Sequence, residues 1–329
     1  MQVDIYMPRM DVMFKEGPVP KERGPVPAIR KHWLNFIEML NVTHIGKGHQ
    51  TKIFELPLWQ ITPELVDKNS SGADLIYIPH KMRENWRLAD DPDERVMYYM
   101  QMVIPTIFSI DPYGWGATAK SYHVNQFIRS TIDDGNIYDT LTKRILSNTS
   151  KFEQPERKPL KLEYNDYVFF PCQIPHDETI KFHSDITVEE TLKVLLDWSS
   201  VTRNHVVIKG HPVNPGSMAS IKAVANEYIH TWIDDYSIHD LIGGAKMVVT
   251  VNSGVGLEAI LHGKQVVTFG RADYDLVTYN ATSKNYFDVL SGAYNTADMV
   301  NVNRYKRFMN QWYDTYYDTE NVDTFDKIV

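Results

Sequence analysis

Met247-Val248-Val249-Thr250-Val251-Asn252-Ser253-Gly254-Val255-Gly256-Leu257-Glu258-Ala259 is the stretch from which the fold can be read. Residues 247–251 are an apolar, β-branched run, as in a buried strand. Asn252-Ser253-Gly254 breaks the run, and the residues after it open a helix. Strand, tight turn and helix in succession belong to a βαβ unit, and such units build parallel sheets. In an open parallel sheet, ligands bind beyond the carboxyl ends of the strands. Gly254 and Gly256 let a backbone approach a ligand closely. The free N–H groups at the helix start, with Ser253, suit a phosphate. Glu258, one turn in, is positioned to accept hydrogen bonds from a ribose or a base. A structural turn with a helix cap is the plainer alternative. The dinucleotide fingerprint G-x-G-x-x-G and the Walker phosphate loop are both absent.

The same alternation extends outward. Residues 167–170, 205–208 and 265–269 read as further strands. Residues 188–198 form an amphipathic helix with Asp185 or Thr187 as its N-cap and Glu189 and Glu190 in its first turn. Residues 217–227 form another helix. In the first half, residues 3–7, 73–78 and 103–108 read as strands, and residues 28–40 and 95–102 as helices. The repeated Gly-Pro-Val-Pro at 17–20 and 24–27 is a loop. Residues 111–116 form a turn-rich loop. Basic residues Lys143, Arg144, Lys151, Arg157, Lys158 and Lys161, with Pro155 and Pro159, mark a connection between domains, with a phosphate-contacting edge as the alternative. The pattern predicts an α/β protein of two facing Rossmann-like domains, residues 1–165 and 166–300. An aromatic helix at 302–317, within a third segment 301–329, returns to the first domain.

Composition narrows the function classes. The 329 residues carry 42 Asp and Glu against 34 Lys and Arg, so a protein that coats nucleic acid is disfavoured, though a local basic cleft is not. One cysteine excludes a disulfide framework and Cys-rich zinc or iron–sulfur sites, and fits a reducing compartment. No apolar run approaches the ~18 residues of a membrane span. Met1-Gln2-Val3-Asp4 lacks the basic-then-apolar order of a signal peptide, so a cytoplasmic location is expected, in a bacterium or in the host of a phage.

Three further motifs stand at strand ends. In Lys209-Gly210-His211-Pro212, the turn presents His211 as a donor to phosphate, strengthened by protonation. In Gln173-Ile174-Pro175-His176-Asp177, the carboxylate is a candidate nucleophile or general base, and Gln173 a candidate holder of substrate or of that carboxylate. An N-cap or loop role is the alternative for Asp177. In Arg271-Ala272-Asp273-Tyr274, Arg271 is suited to bidentate contact with a phosphate or carboxylate. The acidic pairs Asp90-Asp91, Asp133-Asp134 and Asp234-Asp235 lack strand-end context, and no essential metal is expected. Cys172 and Trp232 read as packing residues.

In combination, Gln173-x-x-x-Asp177, Lys209-x-His211-Pro212, Thr250-x-Asn252-Ser253-x-x-Gly256-x-Glu258-Ala259 with Gly263, and Gly270-Arg271-Ala272-x-Tyr274 resemble the capsule polysaccharide biosynthesis family that includes bacterial β-Kdo transferases. The likeness runs from Tyr167 to Tyr274, and the first 160 residues carry no such motif. It implies a GT-B glycosyltransferase with an acceptor-side first domain and a second domain that holds the nucleotide sugar. The donor would be CMP- or UDP-linked, and no further cofactor is implied. It also implies retention of anomeric configuration through a covalent sugar intermediate on Asp177, with Gln173 beside it. His211 matches the family's His-Pro motif, and Asn252, Ser253 and Glu258 its nucleotide-side motif. Lys209, Gly254, Gly256, Arg271 and Tyr274 complete the expected donor side. A saccharide is the expected acceptor. A phage-type enzyme adding sugar to hydroxymethylated cytosine in DNA is the alternative. A non-enzymatic nucleotide- or sugar-binding module and a nucleotide-sugar epimerase complete the candidates.

Overall fold

The computed structural model describes residues 1–9, 27–79, 94–126, 136–162, 166–212 and 215–328. The loop expected at 17–26 and the pairs Asp90-Asp91 and Asp133-Asp134 lie outside them. The strands are β1 (Gln2–Pro8), β2 (Gln50–Leu56), β3 (Leu75–Pro79), β4 (Val96–Gln101), β5 (Ile107–Asp111), β6 (Val168–Pro171), β7 (Val206–Lys209), β8 (Thr231–Trp232), β9 (Met247–Thr250), β10 (Gln265–Thr268), β11 (Tyr279–Asn280) and β12 (Tyr317–Asp318). The helices are α1 (Pro27–Gly46), α2 (Pro63–Asn69), α3 (Lys120–Asn125), α4 (Asn136–Leu146), α5 (Glu178–His183), α6 (Val188–Thr202), α7 (Ala219–Ala225), α8 (Ile238–Gly244), α9 (Val255–Leu261), α10 (Tyr286–Asn295) and α11 (Val302–Asp314). Among the described residues, no helix is long and apolar enough to cross a membrane.

Two compact units result, one of Met1–Val124 with Tyr313–Val329, the other of Asn125–Trp312. Each is Rossmann-like. In the first, the sheet order is β2-β1-β3-β4-β5-β12. Its first three junctions are parallel, and β5 and β12 then run antiparallel to their neighbours. Helix α1 buries Trp33, Phe36, Ile37 and Leu40 against this sheet. The Phe36 ring stacks on Phe108 at 4.1 Å.

The second unit has the order β8-β7-β6-β9-β10-β11, parallel throughout. Strand β6 comes first in the chain, β7 and β8 extend to one side of it, and β9, β10 and β11 to the other. Strand order therefore reverses between β6 and β9, the switch point where such sheets take ligands. Strands β6, β7, β9 and β10 are buried at every residue, which explains their unbroken apolar character. Helix α6 packs Leu192, Leu195, Leu196 and Trp198 on them. Thr187 is its N-cap and Glu190 completes a capping box: the Thr187 hydroxyl accepts from Glu190 N–H at 3.1 Å, and the Glu190 carboxylate from Thr187 N–H at 2.9 Å.

Four expectations change. Residues 103–106, expected within a strand, form the turn between β4 and β5, and the strand starts only at Ile107. Residues 95–102 are not a helix, because Val96–Gln101 is strand β4, paired with β3 and β5 and buried on both faces. Its Met and Tyr run lacks alternation, so periodicity could not separate strand from helix. The division between units falls at 124/125 and not at 165/166, because α4 packs on α9. There the Tyr138 hydroxyl donates to the Ile260 carbonyl at 3.0 Å, and the Thr142 hydroxyl to that of Leu261, also at 3.0 Å. The aromatic helix α11 lies in the second unit up to Trp312, whose indole N–H donates to Asp273 at 2.7 Å. What rejoins the first unit is the chain after it, through β12 on β5.

Candidate active site

The second unit gathers the predicted residues beyond the carboxyl ends of β6, β7, β9 and β10. Gln173, after β6, is buried and braces the switch point. Its amide N–H donates to Asn252 Oδ1 at 2.9 Å, and its amide oxygen accepts from Asn252 N–H and the Thr250 hydroxyl, each at 3.0 Å. Asn252 Nδ2 reaches on to the Thr179 carbonyl at 3.0 Å. Gln173 is thus a brace within the protein.

Asp177 caps α5, which was the plainer alternative for it. Its Oδ1 accepts from Thr179 N–H at 2.9 Å and from the Thr179 hydroxyl at 2.7 Å. Among the described residues, Oδ2 accepts no hydrogen bond. A cap that occupies one oxygen fixes the carboxylate plane and leaves the other oxygen available to a ligand. The two roles are compatible.

His211 follows β7. Its ring stands edge-on to Phe152 at 5.2 Å, and its backbone N–H donates to Met218 Sδ at 3.4 Å. Burial pulls its pKa down to about 4; the charge of Asp177 raises it and that of Lys151 lowers it further. The imidazole is therefore neutral near pH 7, and the expected strengthening by protonation does not operate there. Lys209 is buried, with its ammonium on the Asp234 carbonyl at 2.6 Å. Asp234 also accepts from Gly210 N–H at 2.9 Å, and a Cβ on Gly210 would stand 3.0 Å from that carboxylate oxygen. Lys209 and Gly210 thus build the turn that carries His211.

The Asn252–Glu258 turn is tied internally. Thr250 Oγ1 accepts from Ser253 N–H at 3.2 Å, and Ser253 Oγ from Val255 N–H at 3.2 Å. Ser253 is half-buried and Gly254 exposed. Gly256 faces Tyr274, not open space. The buried Tyr274 hydroxyl donates to the Ser253 carbonyl, and a Cβ on Gly256 would meet that hydroxyl at 2.3 Å. Tyr274 thus supports the turn from behind. Glu258 is buried, with both carboxyl oxygens unsatisfied. The Ser150 hydroxyl approaches it without completing a bond of good geometry, and burial pushes its pKa up to about 8. It is a neutral acid at pH 7, better suited to donate one hydrogen bond than to accept two. Arg271, after β10, is tied to the end of α5, with Nη2 donating to the Phe182 carbonyl at 3.2 Å and Nη1 3.6 Å from Asp185.

One element of the site escaped the sequence reading. Residues 148–158, expected as a connection between domains, form a strap bolted to the start of α8. Asn148 Oδ1 accepts from the Ser237 hydroxyl at 2.5 Å, the Thr149 carbonyl from His239 Nε2 at 2.9 Å, and Gln154 Oε1 from Ile238 N–H at 3.0 Å. Arg157 pairs with Asp240, and Lys158 with Asp235 at 2.6 Å. The strap carries Ser150 to Glu258 and Phe152 to His211. The basic composition of this segment was its one visible signal. Cys172 is buried in the core, where desolvation holds the thiol protonated.

Residues 117–296 match the family described as capsule polysaccharide biosynthesis protein. The chain belongs to this family. The match extends about fifty residues ahead of Tyr167 and takes in α4 and the strap. Protein FixF of Sinorhizobium fredii (strain NBRC 101917 / NGR234) is 28% identical over 187 residues, 52% of this chain and 42% of FixF. The capsule polysaccharide export protein KpsS of Escherichia coli is 29% identical over 140 residues, 38% of this chain and 36% of KpsS. The chain thus spans less than half the length of either curated relative. Among solved structures, the β-Kdo 2,7 transferase of Thermosulfurimonas dismutans KpsC superposes with a TM-score of 0.52 at 19% identity, covering 89% of this chain and 90% of that one. The β-Kdo 2,4 transferase of KpsC gives a TM-score of 0.52 at 14% identity, covering 83% and 85%. At such identities the likeness establishes the shared fold of this capsule family member.

Proposed function

We propose that the chain is a nucleotide-sugar-dependent glycosyltransferase that retains anomeric configuration and transfers to a hydroxyl of a saccharide or glycoconjugate. The observation that carries this reading is Asp177, with one carboxylate oxygen held by Thr179 and the other without a hydrogen bond, beside the neutral imidazole of His211. Oδ2 attacks the anomeric carbon, a bond forms from Asp177 to the sugar, and the bond to the donor phosphate breaks with its electron pair on the phosphate oxygen. His211 donates a hydrogen bond to the departing phosphate. The acceptor hydroxyl then attacks the same carbon, its proton passes to the released phosphate, and the bond to Asp177 breaks with its electron pair on the carboxylate, which restores the original configuration. Family membership and the fold shared with the KpsC transferases support the reading. The charge on the leaving group is met by protein groups, and transfer is expected to proceed with EDTA present.

The deciding experiment is intact-mass spectrometry of the protein and of an oligosaccharide pool after incubation with CMP- and UDP-linked sugars. A sugar-sized gain on an oligosaccharide is expected, with a matching transient gain on the protein that disappears in Asp177→Asn. Consumption of donor with no gain on any acceptor or on the protein would overturn the transferase reading in favour of epimerisation or hydrolysis.

A further inference from the structure

The sequence offers Lys209 and Arg271 as cations for a donor phosphate. Lys209 is buried on the Asp234 carbonyl, and Arg271 is held at Phe182 and Asp185. Of the basic residues in 143–161, Arg157 and Lys158 are paired with Asp240 and Asp235. Lys151 differs from all of these. It lies on the strap between Ser150, which approaches the Glu258 carboxyl, and Phe152, whose ring stands 5.2 Å from that of His211. Among the described residues, its ammonium makes no hydrogen bond and closes no ion pair within 4 Å. The anchors on both sides of it hold this middle stretch over the strand ends.

We propose that Lys151 supplies the cation that binds the phosphate of the nucleotide donor, alongside the hydrogen bond from His211. The inference rests on the transferase reading and names the group that receives its leaving phosphate. The Lys151 and Asp177 charges act on each other, yet no ion pair joins them. Neither charge is consumed by the other, so both can meet a ligand. A sugar phosphate suits the pair, with its anomeric carbon toward Oδ2 of Asp177 and its phosphate toward the ammonium. As the bond from the anomeric carbon to the phosphate oxygen breaks, the electron pair moves onto that oxygen and Lys151 holds the added charge. Burial lowers the lysine pKa and Asp177 raises it, so an arriving anion stabilises the charged form further. A lysine suits this task as a compact charge on a flexible stem, able to follow the phosphate as it departs.

The test uses the full chain with Lys151→Met, Lys151→Gln and Lys151→Arg, and the probes CMP and UDP against cytidine and uridine, by calorimetry. For the preferred nucleotide, Met and Gln are expected to weaken binding about 10- to 100-fold, as for loss of a charge-assisted contact, with the matching nucleoside changed less than about twofold. The arginine variant should keep most of the affinity. Independently of any ligand, the neutral variants should raise the His211 titration seen by NMR, because they remove a cation that lowers it. Equal loss for nucleotide and nucleoside, or no loss for either, would overturn the proposal and leave the transferase reading standing. Phosphate-dependent binding through Lys151 with no sugar transfer by the wild type would overturn the transferase reading only. A wild type that binds neither nucleotide would overturn both.

Discussion

Gln173 and Asn252, 79 residues apart in sequence, hold each other at 2.9 Å across the junction of β6 and β9, where strand order reverses. With the return bond from Asn252 N–H to the Gln173 oxygen, the two loops that meet at the switch point are one hydrogen-bonded piece. Rigid support is what the nucleophile proposed at Asp177, on the neighbouring turn, would require, because small displacements of a reacting group cost much of the rate.

Gln173→Ala removes the brace and leaves Asn252 and Thr250 with buried polar groups unsatisfied. It should destabilise the protein by about 1–3 kcal/mol. It should also lower transfer more than it lowers nucleotide affinity. Urea unfolding, with kcat and KM measured separately, checks both parts. A change in KM with kcat intact would make Gln173 a substrate contact instead.

Asp177 has two roles that substitution can separate. Asparagine is a good N-cap, so Asp177→Asn should fold with near wild-type stability and bind nucleotide while transfer is lost. Alanine loses the cap as well, at a cost of about 1 kcal/mol. Thermal melts paired with transfer assays distinguish the two. Activity retained in the asparagine variant would remove Asp177 from the chemistry.

Gly256→Ala drives a methyl group into the Tyr274 hydroxyl and ring. Overpacking of this kind costs typically about 1–3 kcal/mol. Tyr274→Phe should not rescue it, because the ring carbons Cζ and Cε2 lie at 2.5 and 2.6 Å from the same Cβ. Tyr274→Leu, which removes the ring, should rescue it in part. A double-mutant cycle by denaturant unfolding measures the coupling.

Glu258 makes stability depend on pH. Its pKa is about 8 in the folded protein against an ordinary 4.5, so below 4.5 both states are protonated and nothing is lost. As pH rises from 4.5 to 8, the unfolded chain ionises and the folded one does not. Stability then falls by about 1.36 kcal/mol per unit at most, levelling above 8. Glu258→Gln should flatten this alkaline decline in unfolding midpoints measured at pH 5, 6.5 and 8. An unchanged slope would mean that the carboxyl finds solvent or a partner in solution.

His239 and His262 give the opposite slope. Burial lowers their pKa values to about 4 and about 3, and His239 Nδ1 lies 3.2 Å from His262 Nε2. Their contribution is complete above the ordinary value of 6.5 and is lost as pH falls toward 4. Because His239 also holds the Thr149 carbonyl, acidification should loosen the strap before the sheet. Hydrogen exchange of residues 148–158 at pH 7 and pH 5 checks this, and equal protection at both would refute it.

The second unit was legible where burial on both faces writes itself as apolar runs. Strands β6, β7, β9 and β10 and the Thr187 cap of α6 follow from local sequence. Strand β4 was not legible, since a doubly buried strand rich in Met and Tyr carries no periodicity. The strap was not legible either, because Ser237, Ile238, His239 and Asp240 that hold it come some eighty residues later. The site motifs were found, yet the partners that define them were not. Nothing near Gly256 announces that Tyr274 fills the space above it, and nothing near Asp177 shows which of its oxygens is occupied.

The contact of Tyr138 with the Ile260 carbonyl spans 122 residues of chain. A ribosome adding ~5–20 residues per second leaves α4 without its docking surface for on the order of ten seconds. Throughout that interval the apolar face of Tyr138, Leu141 and Ile145 stays uncovered. The first unit waits longer, since β12 and Phe325 complete its sheet and core only once residues 317–325 have emerged. Neither unit has all of its strands and helices before the other is almost made, so a chain terminated early exposes apolar faces that later residues would cover.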